Sequence, residues 1–99
     1  MNNKKLMIIG GTGALGRTLI KRYNKDNNIL VFSRDEHKQV KLKNIFDDVQ
    51  YQIGDVKDKD SLLQAINEYK PDIVINTAAL KHVPICEDNP YESVKTNII

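Results

Sequence analysis

An α/β fold with a parallel sheet is predicted by three features of this sequence. Four short apolar or alternating runs each end in turn residues: Leu6-Met7-Ile8-Ile9, Ile29-Leu30-Val31-Phe32, Val49-Gln50-Tyr51-Gln52-Ile53 and Asp72-Ile73-Val74-Ile75-Asn76. The stretches between them carry helical spacing, and strands that alternate with helices imply a sheet built from right-handed βαβ crossovers. The first run stops at Gly10-Gly11, and an amphipathic pattern begins at once.

The first βα unit runs from about Lys5 to Tyr23, with Leu15, Leu19, Ile20 and Tyr23 expected on the buried face of its helix. Asn24 to Asn28 is a polar turn. The second run is continuous rather than alternating, as in a parallel strand covered on both faces. Residues 35 to 46 form a helix whose apolar anchors are expected to be Val40, Ile45 and Phe46; its acids come first and its lysines later, which suits the helix dipole. The alternation of residues 49–53 predicts an edge strand. Asp58 caps a helix with Leu62, Leu63, Ile66 and Tyr69 as its stripe, and Pro71 stops it. After the fourth strand, Asn89-Pro90-Tyr91-Glu92 has the form of a helix start, with Tyr91, Val94 and Ile98 on one face.

Composition excludes several classes. Fifteen Lys and Arg are spread among thirteen acids for a net charge of +2, so no basic stripe suggests nucleic acid. No apolar run approaches the roughly 20 residues of a membrane helix, and Met1 to Lys5 leads into a strand rather than a signal-peptide core. A cytoplasmic protein with no membrane partner is expected. The single cysteine, Cys86, has no partner for an internal disulfide and no ligand set beside it, so no metal is expected.

The glycine cluster carries the chemistry. Gly11, Gly13 and Gly16 fit G-x-G-x-x-G, and Gly10, Gly13 and Gly16 give the alternative spacing. Either one allows a sharp turn, close approach of a pyrophosphate and tight packing of helix on strand. The helix N-terminus then offers unpaired N–H groups to the phosphates. In the nucleotide-binding strand order 3-2-1-4, the loops after all four strands open on one crevice. After strand 2 stand Ser33 and Arg34, a hydroxyl and a guanidinium suited to a 2′-phosphate, which favours NADP. Lys38 adds charge, while Asp35 could instead take a ribose, keeping NAD possible. After strand 3, Asp55 and Val56 suit an adenine edge and face, or equally a turn. After strand 4, the small residues from Thr77 to Leu80 allow close backbone passage, with Lys81 and His82 at the crevice mouth.

Together, Gly10 to Gly16, Ser33-Arg-Asp-Glu36 with Lys38-Gln39, Gly54-Asp-Val56, Ala78-Ala-Leu-Lys-His-Val-Pro84 and Val94-Lys-Thr-Asn97 resemble the start of the extended short-chain dehydrogenase/reductase family. Within it the chain is most similar to the polysaccharide-biosynthesis branch, that of the inverting UDP-N-acetylglucosamine 4,6-dehydratases. The resemblance implies the N-terminal portion of a Rossmann-type, doubly wound sheet. It also implies a cofactor-binding turn of Gly10, Thr12, Gly13, Ala14, Leu15 and Gly16, in which Thr12 to Leu15 meet the pyrophosphate, and that Ser33, Arg34 and Lys38 meet the adenosine phosphate. Asp55 and Val56 would flank adenine. Ala78, Ala79 and Lys81 would line the nicotinamide half, with Lys81 and His82 near a UDP-sugar substrate, while Thr96 and Asn97, on the last helix, would sit behind the cofactor, Thr96 counted with the cofactor-binding residues and Asn97 with the substrate-binding ones. Asn76-Thr77 departs from the pattern, since these dehydratases more often have His-Ala there.

Family chemistry implied by the resemblance is removal of hydride from sugar C4, loss of water across C5 and C6, and return of hydride to C6. The family's acid/base set, a Tyr-x-x-x-Lys pair with Ser or Thr and an Asp-Lys pair, is not found. Tyr91 and Lys95 meet the first spacing but fall in the expected last helix and are set aside as catalytic. Residues 1–99 are therefore expected to be one incomplete NAD(P)-binding domain, ending inside the helix after strand 4, whose apolar edge would be left open. The full-length enzyme is expected to be a homo-oligomer. The alternatives are a segment of a UDP-sugar epimerase of the same family, or a non-enzymatic dinucleotide-binding module.

Overall fold

In a computed structural model, which describes residues 2–77 and the backbone of residues 97–98, all four expected strands are present and parallel. The elements are β1 (Lys5–Ile9), α1 (Ala14–Tyr23), β2 (Asn28–Ser33), α2 (Glu36–Ile45), β3 (Gln50–Ile53), α3 (Lys59–Tyr69), β4 (Ile73–Asn76) and β5 (Asn97–Ile98). The sheet order is β3-β2-β1-β4-β5. Register pairs Ile8 of β1 with Val31 of β2 and with Ile75 of β4, so β1 lies at the centre, with β2 between it and β3 and β4 between it and β5.

Strand alternation divides the core into two clusters. Leu6, Ile8, Ile29 and Val31 face one way and meet Ile20 of α1 and Leu42 of α2. Met7, Ile9, Leu30, Phe32 and Val74 face the other way, where Leu62, Ala65, Ile66 and Tyr69 of α3 cover them. Burial of the Phe32 side chain alone is worth about 2 to 3 kcal/mol. The stripe expected on α3 is the one that packs, and Asp58 caps that helix by accepting from the Ser61 N–H at 3.1 Å. Lys70 ends it in the left-handed region at φ 55°, directly before the buried Pro71.

Three expectations are corrected. Leu15 is not on the buried face but 61% exposed, because the first turn of α1 rises past the carboxyl end of β1, where no sheet lies beneath it. On α2, Val40 and Ile45 are 56% and 64% exposed, whereas Phe46, just past its end, is partly buried and packs against the cluster of Ile29 and Val31 as expected. The anchors are Leu42 and the amide of Gln39, because the inward face of this helix meets carbonyl groups at the sheet edge as well as side chains. Finally, Asn97–Ile98 is extended and pairs in parallel with Ile73 and Val74, in place of the end of a helix, so β4 is not the sheet edge at those positions. The open row of backbone donors and acceptors along β4 is a template for such pairing. The expected helix start at Asn89 lies outside the described residues.

Two tyrosines tie elements together. Tyr51 on the edge strand donates its hydroxyl to the Phe46 carbonyl at 3.0 Å, and Tyr69 donates to Asn28 Oδ1. Burial, with the charge of Asp48 adding to it, pushes the Tyr51 phenol from 10.0 up to about 12. Tyr69 is raised in the same direction by burial and then by Asp72. A raised phenol stabilises the fold fully below the ordinary value of 10.0, and this contribution is lost as pH climbs through about 12. Tyrosinate absorbance is therefore expected to show a late phase that coincides with loss of helical circular dichroism. A single phase near pH 10.0 with the dichroism intact would contradict this.

Candidate dinucleotide-binding site

Hydrogen bonds between strand ends fasten the carboxyl edge of the sheet into one row. The Gly10 N–H donates to the Phe32 carbonyl at 2.7 Å, and the Gly54 N–H donates to the Ser33 carbonyl at 2.9 Å. Thr77 donates twice to the Ile9 carbonyl, from its N–H and its hydroxyl, each at 2.9 Å. The loops after β1, β2 and β3, and Thr77 at the end of β4, thus stand side by side along this edge. Thr77 stands where the sequence departs from the dehydratase pattern, and its hydroxyl fastens β4 to β1.

The glycine turn is shaped by two constraints. Gly10 has φ 75°, a conformation that favours glycine, and the Thr12 N–H folds back onto its carbonyl at 2.8 Å. Gly16 lies so close to Gly11 that a Cβ on it would collide with Gly11 backbone atoms, which clamps the start of α1 onto the turn. Gly13 differs, since a Cβ there would meet no atom of the described residues within 4 Å. No packing demand among the described residues accounts for that glycine, and the space beside it is open to a ligand.

The three helices among the described residues also differ at their N-termini. Asp35 caps α2, accepting from the Lys38 N–H at 3.0 Å, and Asp58 caps α3. By contrast, α1 has Gly13 as its N-cap, no side-chain cap and no acid in its first turn. Its positive end faces outward beside the space at Gly13, a combination that suits an anion. These observations make the turn fit a pyrophosphate.

At the end of β2, Ser33 is buried while the Arg34 side chain is 75% exposed. Arg34 Nη1 lies 3.8 Å from Asp55 Oδ2, bringing the loops after β2 and β3 together. Such an exposed pair is weak and leaves the guanidinium available to a stronger anion. Asp55 also accepts from the Lys57 N–H at 2.9 Å, so it is a turn residue, and Val56 packs partly against the α3 cluster. Lys38 Nζ is 3.9 Å from Asp35 Oδ2, and Asp35, the residue that could have taken a ribose, is engaged as the α2 cap. Gln39 is the site residue that sequence reasoning left without a role. Its signal was its place beside Lys38 in a motif already singled out.

Residues Ala78, Ala79, Lys81, His82 and Thr96, together with Cys86, Tyr91 and Lys95, lie outside the described residues. Asn97 lies in β5 rather than on a helix. Among the described residues no group of three potential metal ligands occurs, and no helix is long and apolar enough to cross a membrane.

Comparison with known proteins agrees with this geometry. A family profile described as "Polysaccharide biosynthesis protein" matches residues 6–99. The chain belongs to that family. It is 47% identical to a UDP-N-acetylglucosamine 4,6-dehydratase (inverting) of Campylobacter jejuni, over 98% of this chain and 30% of the relative. A UDP-glucose 4-epimerase of Rickettsia prowazekii is 38% identical over the same shares. Among solved structures, the Bordetella bronchiseptica enzyme WbmG in complex with NAD superimposes with a TM-score of 0.70 at 26% identity, covering 84% of this chain and 27% of that one. The family member therefore spans about 30% of the length of these curated relatives. The resemblance read from the motifs and the 3-2-1-4 strand order are both borne out.

Proposed function

We infer that this polysaccharide biosynthesis family member is the NADP-binding segment of a nucleotide-sugar 4,6-dehydratase of the UDP-N-acetylglucosamine class, a lyase acting in the cytoplasm in surface polysaccharide or glycan synthesis. The observation that carries the reading is the uncapped start of α1, clamped onto the glycine turn and set in one row with Arg34. Identity to the Campylobacter dehydratase points to the reaction class.

In this reading the N–H groups at the start of α1 hold the pyrophosphate, and absence of a Cβ at Gly13 lets it approach. Arg34 exchanges its weak pairing with Asp55 for a 2′-phosphate, whose greater charge and three oxygens suit the guanidinium fork. Ser33 and Lys38 join it. Asp55 and Val56 border adenine. Ala78, Ala79 and Lys81 serve the nicotinamide half, Thr96 the cofactor from behind, and Lys81, His82 and Asn97 the UDP-sugar, each by its match to the family motif. A bound nicotinamide supplies the hydride acceptor and donor. The proton transfers fall to residues that the complete enzyme, a homo-oligomer, would provide.

Calorimetric titration tests the reading. NADP⁺ is expected to bind at least about 10-fold more tightly than NAD⁺, as charged hydrogen bonds to one phosphate predict. Equal or tighter NAD⁺ binding would overturn the selectivity, and a folded chain that binds neither would favour a non-enzymatic module. The second reading, an epimerase segment, draws on the Rickettsia relative. It predicts a product inverted at C4 with no loss of water.

A further inference from the structure

Among the buried polar groups of the described residues, Gln39 and Ser33 stand out, with only 5% and 7% of their surfaces exposed. Gln39 Nε2 lies 2.7 Å from Ser33 Oγ, 3.2 Å from the Ser33 carbonyl oxygen and 3.0 Å from the Gln52 carbonyl oxygen. Carbonyl oxygens only accept, so two of them around one amide terminus require its NH₂ group there. An amide nitrogen cannot accept a hydrogen bond, so in the shortest of these contacts Ser33 Oγ is the acceptor. The hydroxyl proton of Ser33 therefore cannot be given to Gln39, and among the described residues it is donated to no protein group. A buried donor left in this state is costly unless a partner arrives.

The position of that donor identifies the partner. Side chains alternate along β2, so Ser33 shares the face of Ile29 and Val31. A Cβ on Gly11 would lie 3.5 Å from Val31 Cγ1, so the glycine turn rests on this same face, and Ser33 is one pleat nearer the carboxyl edge. Arg34 follows immediately. We propose that Gln39 is a positioning residue that makes Ser33 a one-way hydrogen-bond donor to an oxyanion at the carboxyl end of β2, so that the pair selects a 2′-phosphate over a 2′-hydroxyl. This rests on the phosphate role given to Arg34 above. A phosphate oxygen is a charged acceptor and gains more from such a donor than a neutral hydroxyl does. The same amide ties the end of β2 to β3, fixing the two strands whose loops carry Arg34 and Asp55.

The test compares binding of adenosine 2′,5′-bisphosphate with that of adenosine 5′-monophosphate to the full chain. Ser33→Ala, which leaves both carbonyl contacts of Gln39 in place, is expected to weaken the bisphosphate about 10-fold and the monophosphate by less than about 2-fold, and Ser33→Thr to keep the wild-type ratio. Gln39→Met is expected to lower the ratio similarly, and to lower it no further on a Ser33→Ala background, because Gln39 acts through Ser33. A ratio unchanged in Ser33→Ala or in folded Gln39→Met, or equal losses for both nucleotides, overturns the proposal while leaving the phosphate contact of Arg34 standing, and an unchanged Ser33→Ala also removes Ser33 from that site. Should Gln39→Met not fold, the contrast between Ser33→Ala and Ser33→Thr decides. A wild-type chain that does not distinguish the two nucleotides removes the phosphate reading, and this proposal with it.

Discussion

Replacing Gly16 with valine is expected to destabilise the chain by at least about 3 kcal/mol, lowering the melting temperature by roughly 12 °C or more, and to abolish dinucleotide binding. The size follows from what the new side chain meets. A Cβ at this position collides with the backbone of Gly11 rather than with the end of a flexible side chain, so α1 must lift off the turn. Lifting α1 also withdraws Ile20 from the cluster it shares with Ile8 and Val31. Gly13→Ala supplies the contrast. Its Cβ meets no atom of the described residues within 4 Å and its φ of −85° is open to alanine, so stability should fall by at most about 1 kcal/mol while NADP⁺ binding is lost. Thermal melts and calorimetry of both variants check the pair. If Gly13→Ala binds normally, the pyrophosphate is not held at this turn.

Arg34→Ala is the second large effect expected. It should weaken NADP⁺ by roughly 1.5 to 3 kcal/mol through lost charged hydrogen bonds, with NAD⁺ changed by less than about 2-fold. The side chain is mostly exposed and its ion pair with Asp55 is long, so its removal should leave the fold intact. Parallel titrations of the two dinucleotides read the difference directly. Equal losses for both would move Arg34 from the 2′-phosphate to a part common to the two cofactors.

Where hydrophobic pattern and local chemistry governed the outcome, the sequence was legible. The continuous runs of β1 and β2 became interior strands, the alternating run of β3 became an edge, and Asp58 capped α3 where its spacing placed it. The glycine turn was readable because glycine spacing encodes backbone demands directly. Gln39 was not, because an apolar-anchor reading of α2 counts carbon surface, and what lies beneath this helix includes the carbonyls of Ser33 and Gln52. Leu15 looked buried because periodicity describes one helix face without saying where the sheet beneath it stops. Asn97 and Ile98 were read from a local helix signal eight residues upstream, while their conformation is set by pairing with β4, more than twenty residues away in the chain.

The bare first turn of α1 ties cohesion to supply. Asp35 and Asp58 cap the starts of α2 and α3 whatever the solution contains, but α1 has no such cap, so in the proposed reading its counter-charge comes with the bound dinucleotide. Occupancy and resistance to unfolding then rise together, following the logarithm of ligand concentration over its dissociation constant. In a cell short of dinucleotide, this polypeptide would be the easier prey for proteases.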